Sequence, residues 1–163
     1  MHSPQVATIE TPKLSTRPTK EALQKPNAPL YLDWPLNSVN ITSFYGPRQD
    51  PVNGTTAFHK GVDISAPYGT IVRAPADGHV RRASWNHGHG RQLILQHTRG
   101  FQTVFSHLSA FLVINKQFVT RGQAIGYVGN SGKSTGAHLH LEVLHHGSHR
   151  DPLRYIGIRL YDD

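Results

Sequence analysis

The sequence predicts a mostly-β protein, an antiparallel sheet with only short helical turns. Three observations carry this. Short apolar or alternating runs of strand length recur, each bounded by Gly, Pro, Asn or Ser. Turn formers are frequent, with 15 Gly and 11 Pro among 163 residues. No amphipathic pattern persists beyond two helical turns. The length leaves room for one hydrophobic core and a tail.

The expected strands follow in order. Residues 70–74 carry Ile71-Val72 and stop at Pro75; residues 78–84 begin on Gly78. Residues 92–97 and 102–107 are two further runs, separated by a stretch containing Gly100. Residues 124–128 precede Gly129, and residues 138–144 alternate His138, His140 and Glu142 with Leu139, Leu141 and Val143. Residues 109–115 are the best candidate for a helical turn. Residues 1–30 differ in kind, with Pro4, Pro12, Pro18, Pro26 and Pro29 set among Thr, Ser, Lys and Gln, and no aromatic residue. That stretch is expected to be an extended or disordered linker or pro-segment, with the folded domain over residues 31–163.

Four residues carry the chemistry. His59 and Asp63 form His-x-x-x-Asp, and His138 and His140 form His-x-His. Imidazole nitrogen and carboxylate oxygen suit a catalytic zinc ion. In a strand, His138 and His140 project to one face, where they either share a metal or divide binding from catalysis. Asp63 lies in the apolar run Val62-Asp63-Ile64, where a carboxylate needs a partner; a metal would be one. With 12 histidines in the chain, some close pairs arise by chance, so the weight rests on the two segments together. No His-Glu-x-x-His occurs, which excludes a helical zincin site. Glu142 shares the strand face of His138 and His140. It is placed to bond a ligand imidazole or to pair with a nearby Arg, and stays outside the predicted site.

Gly132-Lys133-Ser134 ends like a phosphate-binding loop, but Tyr127 stands where that motif needs Gly, and the segment runs into a strand rather than a helix. A turn leading to His138 is the better reading.

The stretch from Ile41 to about Ile156 resembles the LytM/lysostaphin-type zinc peptidoglycan endopeptidases, peptidase family M23. The resemblance rests on six runs in the family's order. They are Ile41 to Arg48 (ITSFYGPR), His59 to Ile64 (HKGVDI), Ala74 to Val80 (APADGHV), Phe105 to Ser109 (FSHLS), Gly122 to Gly126 (GQAIG) and Gly129 to Glu142 (GNSGKSTGAHLHLE). It implies a LytM/lysostaphin-like, duplicated-hybrid-type fold, with a narrow groove over a β-sheet and the metal at its floor. It further implies His59, Asp63 and His140 as ligands of one catalytic Zn2+, and His107 and His138 as unliganded catalytic histidines. Bound there, zinc would acidify a water to a pKa of about 7 and polarise the scissile carbonyl. His107 or His138 would move the proton to the leaving amine, and the sequence leaves open which does which.

Three local departures leave these five residues intact. Ala137 stands where Pro is common before His-x-His, Ser106 precedes His107 where a small residue is usual, and residues 48–58 form only a modest groove-walling loop. The function implied is hydrolysis of peptide cross-links of the bacterial cell wall, of the D-alanine to meso-diaminopimelate type. The alternatives are a glycyl-glycine bridge-cleaving lysin, or a non-catalytic LytM-like scaffold that binds wall and activates an amidase. Some relatives fill the fourth zinc position with an Asn from an N-terminal segment, which makes Asn27, Asn37 and Asn40 candidates.

Seventeen Lys plus Arg against 10 Asp plus Glu leave a net charge of +7. Such a surface favours polyanions, here peptidoglycan and anionic cell-wall polymers. The basic residues are scattered, and the tightest pair, Arg81-Arg82, lies in an expected strand, so specific nucleic-acid binding is not expected. No run approaches a membrane span of about 20 residues. Met1 is followed by His, Ser and Pro without a leader's basic and apolar regions, so a removed leader or another export route is expected. The expected location is periplasmic or extracellular, as a monomer, and with no Cys there is no disulfide framework. Asn53-Gly54-Thr55 fits a glycosylation acceptor, relevant only in a eukaryotic secretory pathway. Of the remaining histidines, His87 and His89 are expected in a solvated hairpin turn, with the mouth of the groove as the alternative. His97 has no metal role, and His145, His146 and His149 form an adventitious cluster.

Overall fold

A computed structural model describes residues 30–49, 53–157 and 159–160. The expectations for residues 1–29, with Asn27 among them, lie outside it. The strands are β1 (Leu30–Tyr31), β2 (Ile41–Ser43), β3 (Gly46–Gln49), β4 (Thr56–His59), β5 (Val62–Ser65), β6 (Ile71–Arg73) and β7 (Gly78–Asn86). They continue with β8 (Gly90–Gln96), β9 (Phe101–Phe111), β10 (Phe118–Val119), β11 (Ala124–Val128), β12 (His138–His145), β13 (Ser148–Arg150) and β14 (Arg159–Leu160). The mostly-β expectation holds: among the described residues the one helical element is a 3₁₀ turn, Pro152–Arg154, whose first turn is capped by the Asp151 carboxylate.

Ten strands share one sheet, ordered β10-β7-β8-β9-β12-β5-β2, with β11 joining β9 to β6 and β13 pairing with β12. Neighbours along this path are antiparallel. β3 and β4 make a separate ribbon beside it.

All six expected strands form, within a few residues of their expected limits. The helical turn expected over residues 109–115 does not. β9 runs on to Phe111 because Leu108, Ala110 and Phe111 pair with Val128, Tyr127 and Gly126 of β11. Those ladder bonds take the backbone groups that a helix would have used. The expected runs leave out strands β1, β2, β3, β4, β5, β10, β13 and β14; each has two to four residues, too short for an alternation to be legible.

The register gives the sheet two faces. Leu141 lies opposite Phe105, which lies opposite Leu93; Val143, Thr103, Leu95 and Val80 form the next such row. These residues are fully buried and form the core. The intervening residues face the other way. His140 lies opposite Ser106, and Glu142, Val104, Ile94 and Arg82 form a row across β12, β9, β8 and β7. Because the side-chain period of a strand is two, burying the leucines of β12 obliges its histidines to line the opposite surface.

His97 is 5% exposed, and both its ring nitrogens have protein partners. Its Nδ1 donates to the Asp77 carbonyl at 2.9 Å and its Nε2 accepts from the Thr103 hydroxyl at 2.8 Å. Burial pushes its pKa down from 6.5 to about 4, against a smaller upward pull from the Asp77 carbonyl. The unfolded imidazole therefore binds a proton at higher pH than the folded one. The stability this gives is complete above pH 6.5 and is lost as pH falls towards 4, a loss of about 3 kcal/mol. Urea denaturation at pH 7 and pH 4.5 should show that loss in the natural protein. The His97→Gln variant, less stable at pH 7, should show a shallower one; equal slopes would contradict the assignment.

Candidate metal centre and its histidines

His59 ends β4 and Asp63 lies in β5, joined by the tight link Lys60-Gly61. Gly61 is required there, since a Cβ would sit 2.3 Å from the Leu141 carbonyl oxygen of β12. Asp63 and His140 are register partners on β5 and β12. The fold thus brings together the residues that the sequence holds apart.

Three atoms converge. His140 Nδ1 is 2.8 Å from Asp63 Oδ1, His59 Nε2 is 3.2 Å from the same oxygen, and the two imidazole nitrogens are 3.1 Å apart. His59 Nδ1 donates to the Phe44 carbonyl at 2.8 Å, which leaves Nε2 as a bare lone pair. His140 Nε2 faces Glu142 Oε1 at 2.9 Å, and with the proton on that nitrogen Nδ1 is bare as well. Two lone pairs and a carboxylate facing one another need a cation between them. Ligands on a tetrahedral ion with bonds of about 2.0–2.1 Å sit about 3.3 Å apart, so the donor set fits a divalent metal with one position left open.

The electrostatics agree with a site held ready for positive charge. Burial opposes ionisation of Asp63, but hydrogen bonds and charge from His140 and His59 hold it well below the usual carboxylate range. Burial lowers the pKa of His140, yet bonds to Asp63 and Glu142 raise it from 6.5 to about 9 when only protons are available. Glu142 is itself held down by His140 and by His149, whose Nε2 lies 2.8 Å from Oε2, despite its burial. Of the two placements open for Glu142, the imidazole bond is the one formed. His149, expected in an adventitious cluster, instead fixes Glu142, because β13 folds back beside β12 and pairs His149 with Leu144.

His138 and His107 face the same cavity of about 780 Å³. Their ring centroids are 4.8 Å apart, and His138 Nε2 lies 3.8 Å from Asp63 Oδ1. His138 Nδ1 donates to the Gly136 carbonyl and His107 Nδ1 to the Ser131 carbonyl, both at 2.8 Å. Each ring therefore keeps a bare Nε2. His107 has φ +63°, which a residue with a Cβ adopts only when its surroundings impose it. Here its N–H is held by the His89 carbonyl at 2.7 Å. The hairpin carrying His89 is in turn clasped to the loop before β12, where a Cβ on Gly132 would meet Gly90 N at 2.3 Å. Burial keeps His107 below the ordinary histidine pKa, although its bond to Ser131 acts the other way.

The five predicted residues are thus brought into one cavity. His89 is a correction: it was expected in a solvated turn, yet it is half-buried, with its ring 5.4 Å from that of His140 and 6.1 Å from that of His107. The clasp folds the hairpin tip inwards, a contact between distant loops that local composition does not announce. His87, on the same turn, is exposed as expected. Arg48, overlooked as a site residue, lines the cavity with Nη1 3.0 Å from Ser43 Oγ and 4.0 Å from Asp63 Oδ2. Asn37 and Asn40 are exposed and do not line the cavity.

A groove of antiparallel strands with a His, Asp, His cluster at its floor defines a metallopeptidase-like site. The chain belongs to peptidase family M23, whose family model matches residues 57–152. It is 37% identical over 123 residues to the peptidoglycan DD-endopeptidase ShyC of Vibrio cholerae, covering 75% of this chain and 28% of the relative. The chain spans about a quarter of the length of the curated relatives it matches. A zinc-containing peptidase from Vibrio cholerae superposes with a TM-score of 0.72 at 34% identity, covering 76% of this chain and 39% of that one. The catalytic domain of lysostaphin from Staphylococcus simulans gives 0.65 at 32% identity, covering 72% and 91%. The fold is that of the LytM/lysostaphin M23 peptidases.

Glu142→Gln removes the negative charge that faces His140 Nε2 at 2.9 Å and that would strengthen this imidazole as a metal donor. Metal affinity should fall about 10–100-fold, read by competition with a chromogenic chelator. An unchanged affinity would mean that the Glu142–His140 contact has no bearing on the metal.

Proposed function

We propose that this protein is a zinc-dependent peptidoglycan endopeptidase that hydrolyses peptide cross-links of the bacterial cell wall, of the D-alanine to meso-diaminopimelate type. One observation carries the reading: three ligand atoms converge beside two histidines that each present an unprotonated Nε2 to the same cavity. The DD-endopeptidase activity in the name of ShyC supports the choice of bond.

In this reading His59, Asp63 and His140 hold zinc, and His107 and His138 are catalytic. Zinc, when bound, supplies an acidified water and a polarised amide carbonyl. The residues do the rest. Each Nδ1–H bond to a backbone carbonyl fixes the tautomer, so that Nε2 of His107 or His138 accepts the attacking water's proton and passes it to the leaving amine. A low pKa keeps His107 neutral near pH 7, in the form that accepts. Once protonated, the same ring is placed to donate to the developing oxyanion. Asp63 stays anionic as the third donor, while Glu142 on His140 Nε2 and the Phe44 carbonyl on His59 Nδ1 keep the two imidazoles pointed at the metal. Acting on the wall places the protein in the periplasm or outside the cell.

Two experiments check this. Sacculi with direct diaminopimelate cross-links and with pentaglycine bridges are digested with and without chelator, and the products are identified by mass spectrometry. Chelator-sensitive loss of cross-linked dimers from the first wall is expected; cleavage of the second alone would move the reading to a glycyl-glycine lysin. His140→Ala should lose bound zinc and activity together. His138→Ala should keep about one equivalent of zinc while its activity drops at least about 100-fold. Metal loss in His138→Ala would overturn the division of roles.

A further inference from the structure

The adjacent pair Arg81-Arg82 takes no part in the metal centre, yet it lies on the same sheet. The register of β7 against β8 slips between Val80, opposite Leu95, and Arg82, opposite Ile94, so Arg81 is the extra residue of a β-bulge. A bulge breaks the strict alternation of faces and lets neighbouring side chains serve one surface. Both arginines are exposed, and both line a cavity of about 490 Å³ with Ile94, Gln102, His146 and Gly147. Among the described residues no acidic side chain lines it.

The position of this cavity ties it to the catalytic cavity. Arg82, Ile94, Val104 and Glu142 form one row across four strands, on the face that carries His140 two residues along β12. With strands about 4.8 Å apart and a rise of about 3.4 Å per residue, the Ile94 and Arg82 side of the cavity lies about 12–16 Å from His140, and the His146 side about 20 Å. An extended peptide covers the nearer span in about four residues.

We propose that this cavity is an anion subsite holding a free carboxylate of the peptide strand whose bond is cut. The proposal rests on the endopeptidase reading above and adds the chemistry that selects the substrate. Guanidinium groups match a carboxylate in bidentate geometry, and two on adjacent residues concentrate positive charge where both line the cavity. Ile94 and Gln102 supply a floor that is apolar on one side and hydrogen-bonding on the other. An anchor at this distance fixes the register of the peptide, so that one particular amide reaches the metal. The overall charge of +7 brings polyanions to the surface in general; this pair provides a placed contact.

The test uses the full zinc-loaded chain and its Arg81→Gln/Arg82→Gln double variant, both positions being exposed and remote from the metal. Cross-linked muropeptide dimers are supplied with free or amidated carboxylates, and an uncleavable stem peptide with free carboxylates is titrated by calorimetry. The natural protein should favour free over amidated dimers. The double variant should raise KM for free dimers about tenfold with kcat within twofold, weaken stem-peptide binding to match, and leave amidated dimers and zinc content unchanged. Equal loss on free and amidated dimers, or a loss in kcat alone, would overturn the subsite. So would a glycerol-phosphate polymer that binds through the arginines more tightly than the stem peptide, which would assign them to phosphate instead. If the natural protein cleaves neither dimer yet binds the stem peptide through the arginines, the subsite stands and the endopeptidase reading falls.

Discussion

The structure turns on the confrontation of three acceptor atoms, His59 Nε2, Asp63 Oδ1 and His140 Nδ1, within 3.2 Å of one another. Such an arrangement is unfavourable unless positive charge lies among them. Without a metal, that charge is a proton on His140, whose pKa is raised to about 9. With a metal, it is the ion. Either way the β5–β12 register must keep Asp63 opposite His140, and Gly61 must let β5 pass close to the backbone of β12. A one-residue slip of β12 would send its histidines into the core and its leucines into the groove.

A second constraint concerns protons. In His107 and His138 the bare nitrogen is defined by an Nδ1 bond to a backbone carbonyl rather than to a carboxylate. The carboxylates are spent on the ligand side, Asp63 between His59 and His140 and Glu142 between His140 and His149. Bonds to Asp63 and Glu142 raise His140 against its burial, while burial lowers His107.

Much of the fold was legible because its longer strands alternate. In β12, Leu139, Leu141 and Val143 announce one face while His138, His140 and Glu142 announce the other. The short strands were not legible, since two to four residues carry no period. The end of β9 misled for another reason: local composition over residues 109–115 allows a helical turn, and only pairing with β11 excludes it. His89 was missed because its role comes from a clasp between Gly90 and Gly132, loops distant in sequence. His149 was missed because its bond to Glu142 depends on β13 folding back along β12.

The sequence by itself determined the fold class, the strand faces and the grouping of His59, Asp63, His138 and His140, because residue type and spacing act locally and a period of two is visible in one dimension; His107 was legible only through the family resemblance. Tertiary structure alone decided which imidazole nitrogen is bare, which carboxylate serves which histidine, and that Arg81 and Arg82 share a sheet face with the metal centre. Those outcomes depend on register between strands and on contacts between loops, and both are set by how the whole core packs.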